Sequence, residues 1–384
     1  MPMRTVKFYD PQSDKVCILT LDKTKLITEN INKGKSRITE KEFPSEKEAL
    51  KQCEKKEWAT LKKGFVMKND NPKKGEAIFH YFVSTGYTGA LTFDNTPEGI
   101  FVYKLGERYD SEVCDCFIIL LDTNANLKET IKLPQNLPWR IEYHKPSNNL
   151  WFNLSHDIYK YNLEDKKFTQ VLANGDNPIS FLSVQETNIA YGSHPLWILE
   201  DDKGKILQKQ NFDVEILLGS FPFYATLSKD GGVLAMSREE GKIELIDSRR
   251  GELKNTIQNN FRTVRQMEFV SNDKILVVQE THGKWKIRFF DVDTCQEIDF
   301  SGLDIPRFSK DSDNFCFNAD ESLMIKQQGW WIYVFDFVDK KFLYEFKLEH
   351  CVKRAGVKFI DNDTLGVRTD YGCFSLYKIR TNVK

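Results

Sequence analysis

The chain has no apolar run that approaches the length of a membrane-spanning helix, so no membrane partner is expected. Charges are scattered from Met1 to Lys15 with no apolar core between them, and no secretory leader is expected. Cysteines are few, eight in 384 residues, and lack the paired spacing of small disulfide-bonded domains. Reduced thiols and a soluble, cytoplasmic protein are the expectation. Catalytic signatures are missing too: there is no Gly-x-Ser-x-Gly elbow and no His-Glu-x-x-His helix. Lys33-Gly34-Lys35-Ser36 matches the end of a phosphate-binding loop, but Glu29 stands where that motif needs its first glycine, so the backbone cradle cannot form as required.

The remaining chemistry-bearing residues have structural explanations. Cys114 and Cys116 would share one face of a strand, yet no Cys-x-x-Cys or His pair nearby completes a metal set. His350-Cys351 reads as a connection between blades. Asp311-x-Asp313 and Asp361-x-Asp363 lack the glycine and distal glutamate of a calcium loop and suit turns instead. Trp330-Trp331 is expected to pack between blades, one ring to each face of a strand. No catalytic residue, metal site or cofactor is expected.

What is present is aromatic and unevenly charged. Aromatics make up 13% of the chain, with 28 phenylalanines, which favours strands. Residues 1–76 carry 18 Lys+Arg against 12 Asp+Glu, a balance of +6, and the remainder carries −7. A basic head on an acidic body speaks to partners rather than to fold.

A short pattern recurs: apolar, any, mostly apolar, bulky apolar, then usually polar or acidic. It occurs as IILLD (118–122), IYKYN (158–162), LWILE (196–200), IELID (243–247), IRFFD (287–291), IYVFD (332–336) and FSLYK (374–378), with starts 38 to 47 residues apart. That spacing fits the four-stranded blade of a β-propeller. Strand-like segments beginning near Ile100, Leu150, Ile189, Leu234, Leu276, Leu323 and Leu365 precede the motif, the first across a longer insertion. Further segments anchored by Phe93, Tyr143, Val184, Leu227, Phe269, Phe317 and Phe359 lie upstream. Seven blades follow. Asp122, Asp247, Asp291 and Asp336 close their copies of the motif and are assigned a structural role in the blade. The last copy lacks a fourth strand, and residues 78–83 are free to supply it and close the ring.

Leu227-Ser228-Lys229-Asp230-Gly231-Gly232-Val233-Leu234-Ala235 and Gly241-Lys242-Ile243-Glu244-Leu245-Ile246-Asp247 together resemble a WD-repeat blade. The resemblance covers roughly residues 78–380, although the Trp-Asp and Gly-His pairs of that family are absent.

Upstream, Val6-Lys7-Phe8-Tyr9 and Val16 to Leu21 read as strands, with a third over Lys25 to Asn30. Ser45-Glu46-Lys47-Glu48 is a capping box that opens a helix ending near Gly64. Ala49, Leu50, Cys53, Trp58 and Leu61 form its apolar face. Phe43 to Ala49 together with Leu61 to Val66 resemble the second half of a WGR domain, a sheet-and-helix module of poly(ADP-ribose) polymerases and bacterial proteins. In the polymerases it reads DNA ends through its Trp and Arg. Here Thr28-Glu29-Asn30 occupies the place of that tripeptide, leaving Lys33, Lys35 and Arg37 as candidates for phosphate contact.

The expected protein is therefore mainly β: a WGR-like α+β domain over 1–68, a linker over 69–77, and a seven-bladed WD-repeat-like propeller over 78–384. The expected function is a non-enzymatic scaffold for protein partners, with the basic domain as an accessory module. One alternative is a factor that binds DNA or RNA through that domain. Another is a propeller hydrolase or lyase.

Overall fold

The computed structural model describes residues 3–84, 92–106, 115–135, 138–154, 157–173, 179–193, 196–211, 224–281, 283–300 and 307–380. Near the N-terminus lie strands β1 (Arg4–Tyr9), β2 (Val16–Asp22), β3 (Lys25–Asn32) and β4 (Lys35–Glu42), helix α1 (Glu46–Leu61), and strands β5 (Val66–Lys68) and β6 (Ala77–Phe82). The helix begins where the capping box places it, with the Ser45 hydroxyl accepting from the Glu48 N–H at 3.2 Å. Strand β4 was not anticipated. Its sequence KSRITEKE has no apolar alternation because all eight residues are exposed, so no burial imprints a period on it.

The described strands fall into seven antiparallel sheets. Six are four-stranded; one has nine strands, running from Ala355–Phe359, Thr364–Thr369 and Cys373–Lys378 through β6, β5, β1, β2 and β3 to β4 at its edge. The expectation of seven blades is met in part, and residues 78–83 pair with the chain's last strand as expected. Six stand apart as four-stranded sheets, and the N-terminal strands continue the sheet that holds the chain's last three. Joining them are the pairings Met67–His80 and Lys68–Phe79 between β5 and β6, and Ser375–His80 between the last strand and β6. Residues 69–76 are bound rather than a free linker: the Gly75 N–H donates to the Lys378 carbonyl at 2.7 Å, and the Lys378 N–H donates to the Glu76 carbonyl at 3.0 Å.

Burial explains the repeated motif. The third strand of each blade is covered on both faces by neighbouring sheets, as in Lys242–Asp247, where Ile243, Glu244, Leu245 and Ile246 are all buried. Outer strands such as Leu253–Gln258 face solvent and are polar. Sheets stacked face to face around an axis produce this gradient from a solid interior to a wet rim.

The innermost strands would leave unpaired backbone groups toward the axis. Side chains from the adjacent sheet meet several of them. Asp94 accepts from the Tyr143 N–H at 2.7 Å, Glu142 from the Val184 N–H at 2.9 Å and Ser183 from the Leu227 N–H at 3.0 Å. In the exposed turn after Tyr224–Leu227, Asp273 accepts from the Lys229 N–H at 2.8 Å and links the next pair of sheets. Gln266 donates to the Phe315 carbonyl at 2.9 Å and Asn314 to the Ala355 carbonyl at 2.7 Å. Lys358 returns to Asp94 at 2.7 Å and completes the circuit. Where the last hairpin meets β6, Gly372 has φ of +91°, and a Cβ there would lie 1.9 Å from the Ser84 carbonyl oxygen. Its own carbonyl accepts from the Val83 N–H at 2.8 Å.

Candidate binding surface

The four motif aspartates lie at the ends of third strands and cap the hairpins that follow. Asp122 accepts from the N–H groups of Asn124 and Asn126, each at 2.8 Å; Asp247 accepts from those of Arg249 and Arg250 at 3.1 and 3.0 Å. Asp291 accepts from the Thr294 N–H at 2.7 Å and Asp336 from the Asp339 N–H at 2.9 Å. These are Asx turns, and they hold the hairpins in shape. Asp361 makes a similar turn bond to the Asp363 N–H, whereas Asp313, expected to serve a turn, accepts from the Gly329 N–H sixteen residues on, at the tip of the next hairpin. Cys116 is buried with its sulfur 3.0 Å from the Tyr103 hydroxyl; Cys114 and the insertion before Cys116 lie outside the described residues.

Lys33, Lys35 and Arg37 stand on the hairpin joining β3 to β4, where Lys33 and Gly34 both have positive φ. All three are exposed. Lys35, Arg37 and Lys41 alternate onto the face of β4 that carries Thr28 of β3, the side covered by α1. A cleft of about 460 Å³ opens there between the sheet and the helix, lined by Thr28, Lys41, Phe43, Lys55 and Lys56 among others. The position of the missing tripeptide is closed: Thr28 is buried and its hydroxyl accepts from Lys56 at 2.6 Å, while Glu29 accepts from Ser36 at 2.6 Å.

The axial channel, about 510 Å³, is lined by residues from the inner strands of all seven sheets. Asp94, Glu142, Ser183 and Lys358 hold adjacent sheets together there. Charge from Asp94 and Glu142 outweighs burial and keeps the Lys358 ammonium above its ordinary range. Burial pushes the Glu268 carboxyl up to about 7. Glu268 has no hydrogen-bond or ion-pair partner among the described residues.

A different arrangement lies where α1 meets the last sheet. Arg4 of β1 bonds Glu57 of α1 at 3.0 Å and Glu349 at 2.9 Å. The other oxygen of Glu349 meets His80 Nε2 at 2.9 Å, and His80 Nδ1 meets the Ser375 hydroxyl at 2.7 Å. Burial raises Glu57 despite Arg4. For Glu349, burial is outweighed by the bond and charge of His80 and by Arg4, which hold it well below the usual carboxylate range. Burial, with the charge of His80, pulls His350 down to about 3. Trp58 packs against Tyr371 at 4.3 Å, the edge of Phe82 at 5.5 Å and His350 at 5.9 Å between ring centres.

This junction frames a groove of about 580 Å³, with Lys51, Glu54, Lys55 and Trp58 on the helix side and Lys347 to Cys351 and Tyr371 opposite. Beside it stands Trp330, 44% exposed, with the Lys347 ammonium 5.2 Å from its ring centre. Trp331 is 38% exposed. The expectation that this pair packs between blades is corrected: Gly329, with φ of +57°, turns the chain at a hairpin tip and carries both rings to the surface. No sequence signal joins α1 to Lys347 and Tyr371, some three hundred residues apart along the chain.

No helix among the described residues is long and apolar enough to cross a membrane, and no cluster of three or more potential metal ligands occurs among them. No family model matches the chain, and no curated protein does. Among solved structures, a chain from the crystal structure of a mitotic checkpoint complex aligns with a TM-score of 0.60 at 11% identity, covering 82% of this chain and 99% of that one. The likeness supports a propeller-like arrangement of sheets. Because 1535 chains of solved structures match, the fold alone selects no function.

Proposed function

We propose that this chain is a non-catalytic platform for protein partners, built as a seven-bladed WD-repeat-like propeller whose last blade is fused to a WGR-like module. In this reading Ala355–Phe359, Thr364–Thr369, Cys373–Lys378 and β6 form the seventh blade, and β1 to β5 with α1 form the module. One observation carries the reading. Channel-facing polar groups that an enzyme would need to converge on a substrate are largely engaged in bonds between adjacent sheets: Glu142, Ser183, Gln266, Asn314 and Lys358, the last held by Asp94. Such bonds stiffen the ring and leave its outer loops for recognition. The kinship in fold with a member of a multiprotein complex agrees with this.

A second reading rests on the shared face of Lys35, Arg37 and Lys41 on β4, which offers phosphate contacts without a stacking tripeptide. One experiment tests both. The full chain captures partners from its native extract with and without nuclease, and each captured protein is purified and recombined with the chain. A saturable complex that survives nuclease supports the platform. Capture that nuclease abolishes, together with salt-sensitive binding lost on changing Lys33, Lys35 and Arg37 to Glu, supports the nucleic-acid reading. Turnover of a small substrate abolished by Glu268→Gln would overturn the non-catalytic assignment.

A further inference from the structure

We infer that the groove between α1 and the loop 348–354 is the docking site for an acidic peptide segment of a partner protein, anchored by a bulky apolar side chain. The inference rests on the platform reading and assigns it a place.

Exposed apolar surface and positive charge lie close together here. Tyr371 in the groove lining, and Trp330 and Val352 beside it, are each 43 to 44% exposed. They are connected through the groove wall: the Leu348 N–H donates to the Trp330 carbonyl at 2.7 Å, and Val352 and Tyr371 flank Asp370, whose carboxylate accepts from the Val352 N–H at 2.8 Å. Lys51 and Lys55 lie one helical turn apart on α1 and face Lys347 across the groove. None of these three lysines has a carboxylate partner among the described residues. Glu57 and Glu349 are engaged by Arg4 and His80, so Glu54 is the one carboxylate in the lining without such a partner. The lining as a whole carries four cations (Arg4, Lys51, Lys55, Lys347) against three anions, and its helix side belongs to a segment of charge +6, so the excess positive charge complements an acidic ligand.

The loop wall is already formed. Asp370 also accepts from the Lys353 and Arg354 N–H groups at 2.8 and 3.0 Å. A pre-ordered wall lowers the entropy lost on binding. The rings favour a peptide over a nucleic acid. Trp58 packs against Tyr371 and His350, and the Lys347 ammonium takes one approach to the Trp330 ring, whereas stacked bases need free ring faces. A tryptophan or leucine side chain needs an apolar recess rimmed by charge, and the groove supplies one.

Random peptides of about a dozen residues, displayed on phage, are selected on the immobilised full chain, and the enriched ones are synthesised and titrated by fluorescence anisotropy. The titrations use the full chain, K51E/K55E, Tyr371→Ser, and the triple variant of Lys33, Lys35 and Arg37 to Glu, each checked for an unchanged thermal midpoint. The expected peptides are rich in Asp and Glu with at least one Trp, Phe or Leu. They bind K51E/K55E about 10-fold or more weakly and lose affinity as salt rises, Tyr371→Ser weakens them too, and the triple variant binds them normally. Peptides that bind K51E/K55E as tightly as the full chain overturn the groove and leave the platform standing. If no peptide is enriched and no captured partner recombines, platform and groove fall together. A labelled single-stranded DNA bound by the full chain and released by K51E/K55E would assign the groove to nucleic acid and overturn the peptide.

Discussion

The channel belt and the groove beside α1 draw on the same kinds of side chain and use them differently. Around the channel, Asp94, Glu142 and Ser183 each meet a backbone N–H of the adjacent sheet. Beside α1, Arg4, Glu57, Glu349 and His80 meet one another, while Lys51, Lys55 and Lys347 meet no carboxylate among the described residues, Lys347 lying over the Trp330 ring. The contrast extends to tryptophan. Trp197 is fully buried in the LWILE strand, and Trp330 stands nearly half exposed at a hairpin tip. Polar groups near an axis must meet the backbone needs of a closed ring. At the seam between the N-terminal strands and the last sheet that demand is weaker, and residues can remain open for recognition.

The tryptophan pair tests the contrast most severely. Trp197→Ala removes a ring packed between sheets and is expected to cost about 3 to 5 kcal/mol, whereas Trp330→Ala is expected to stay within about 0.5 kcal/mol. Urea unfolding of the two variants checks this, and equal losses would dissolve the distinction. Next is the junction of the last hairpin with β6. Gly372→Ala places a Cβ against the Ser84 carbonyl at a backbone conformation that suits glycine, for an expected loss of about 2 to 4 kcal/mol. Faster hydrogen exchange confined to β6 and Cys373–Lys378 would locate the damage there.

Asp94→Ala sharpens the comparison from the channel side. It orphans the Tyr143 N–H and the Lys358 ammonium together, and about 1 to 3 kcal/mol should be lost. Asp94→Asn, which keeps one acceptor, should recover part of it. The last expectation is a pH dependence at the groove. Folding lowers His350 from an ordinary 6.5 to about 3, so the unfolded chain binds the extra proton first. The stability this histidine contributes is fully present above pH 6.5 and drains away as pH falls toward 3. His350→Gln should flatten that part of the acid-unfolding profile while the effect of Asp94→Ala persists.

The propeller was readable because burial on both faces of the inner blade strands writes itself into sequence as repeated apolar runs. The motif from IILLD to FSLYK therefore located the third strand of every blade, and the Asx-turn aspartates came with it. The helix was readable from Ser45 and Glu48 because a cap is a local arrangement. Strand β4 was not, since exposed residues carry no imprint of their neighbours, and the Trp330 and Trp331 rings were misplaced because a glycine turn, not strand alternation, sets their direction.

By itself, then, the sequence determined the repeat, the blade strands and the basic balance of residues 1–76, all of which follow from local patterning and composition. Tertiary structure alone decided that the N-terminal strands extend the last sheet. It alone brought Arg4, Glu57, His80 and Glu349 into one cluster and set Lys51 and Lys55 across from Lys347. Those relations depend on pairings between segments hundreds of residues apart, and the periodicity of either segment records only that it is buried, not what buries it.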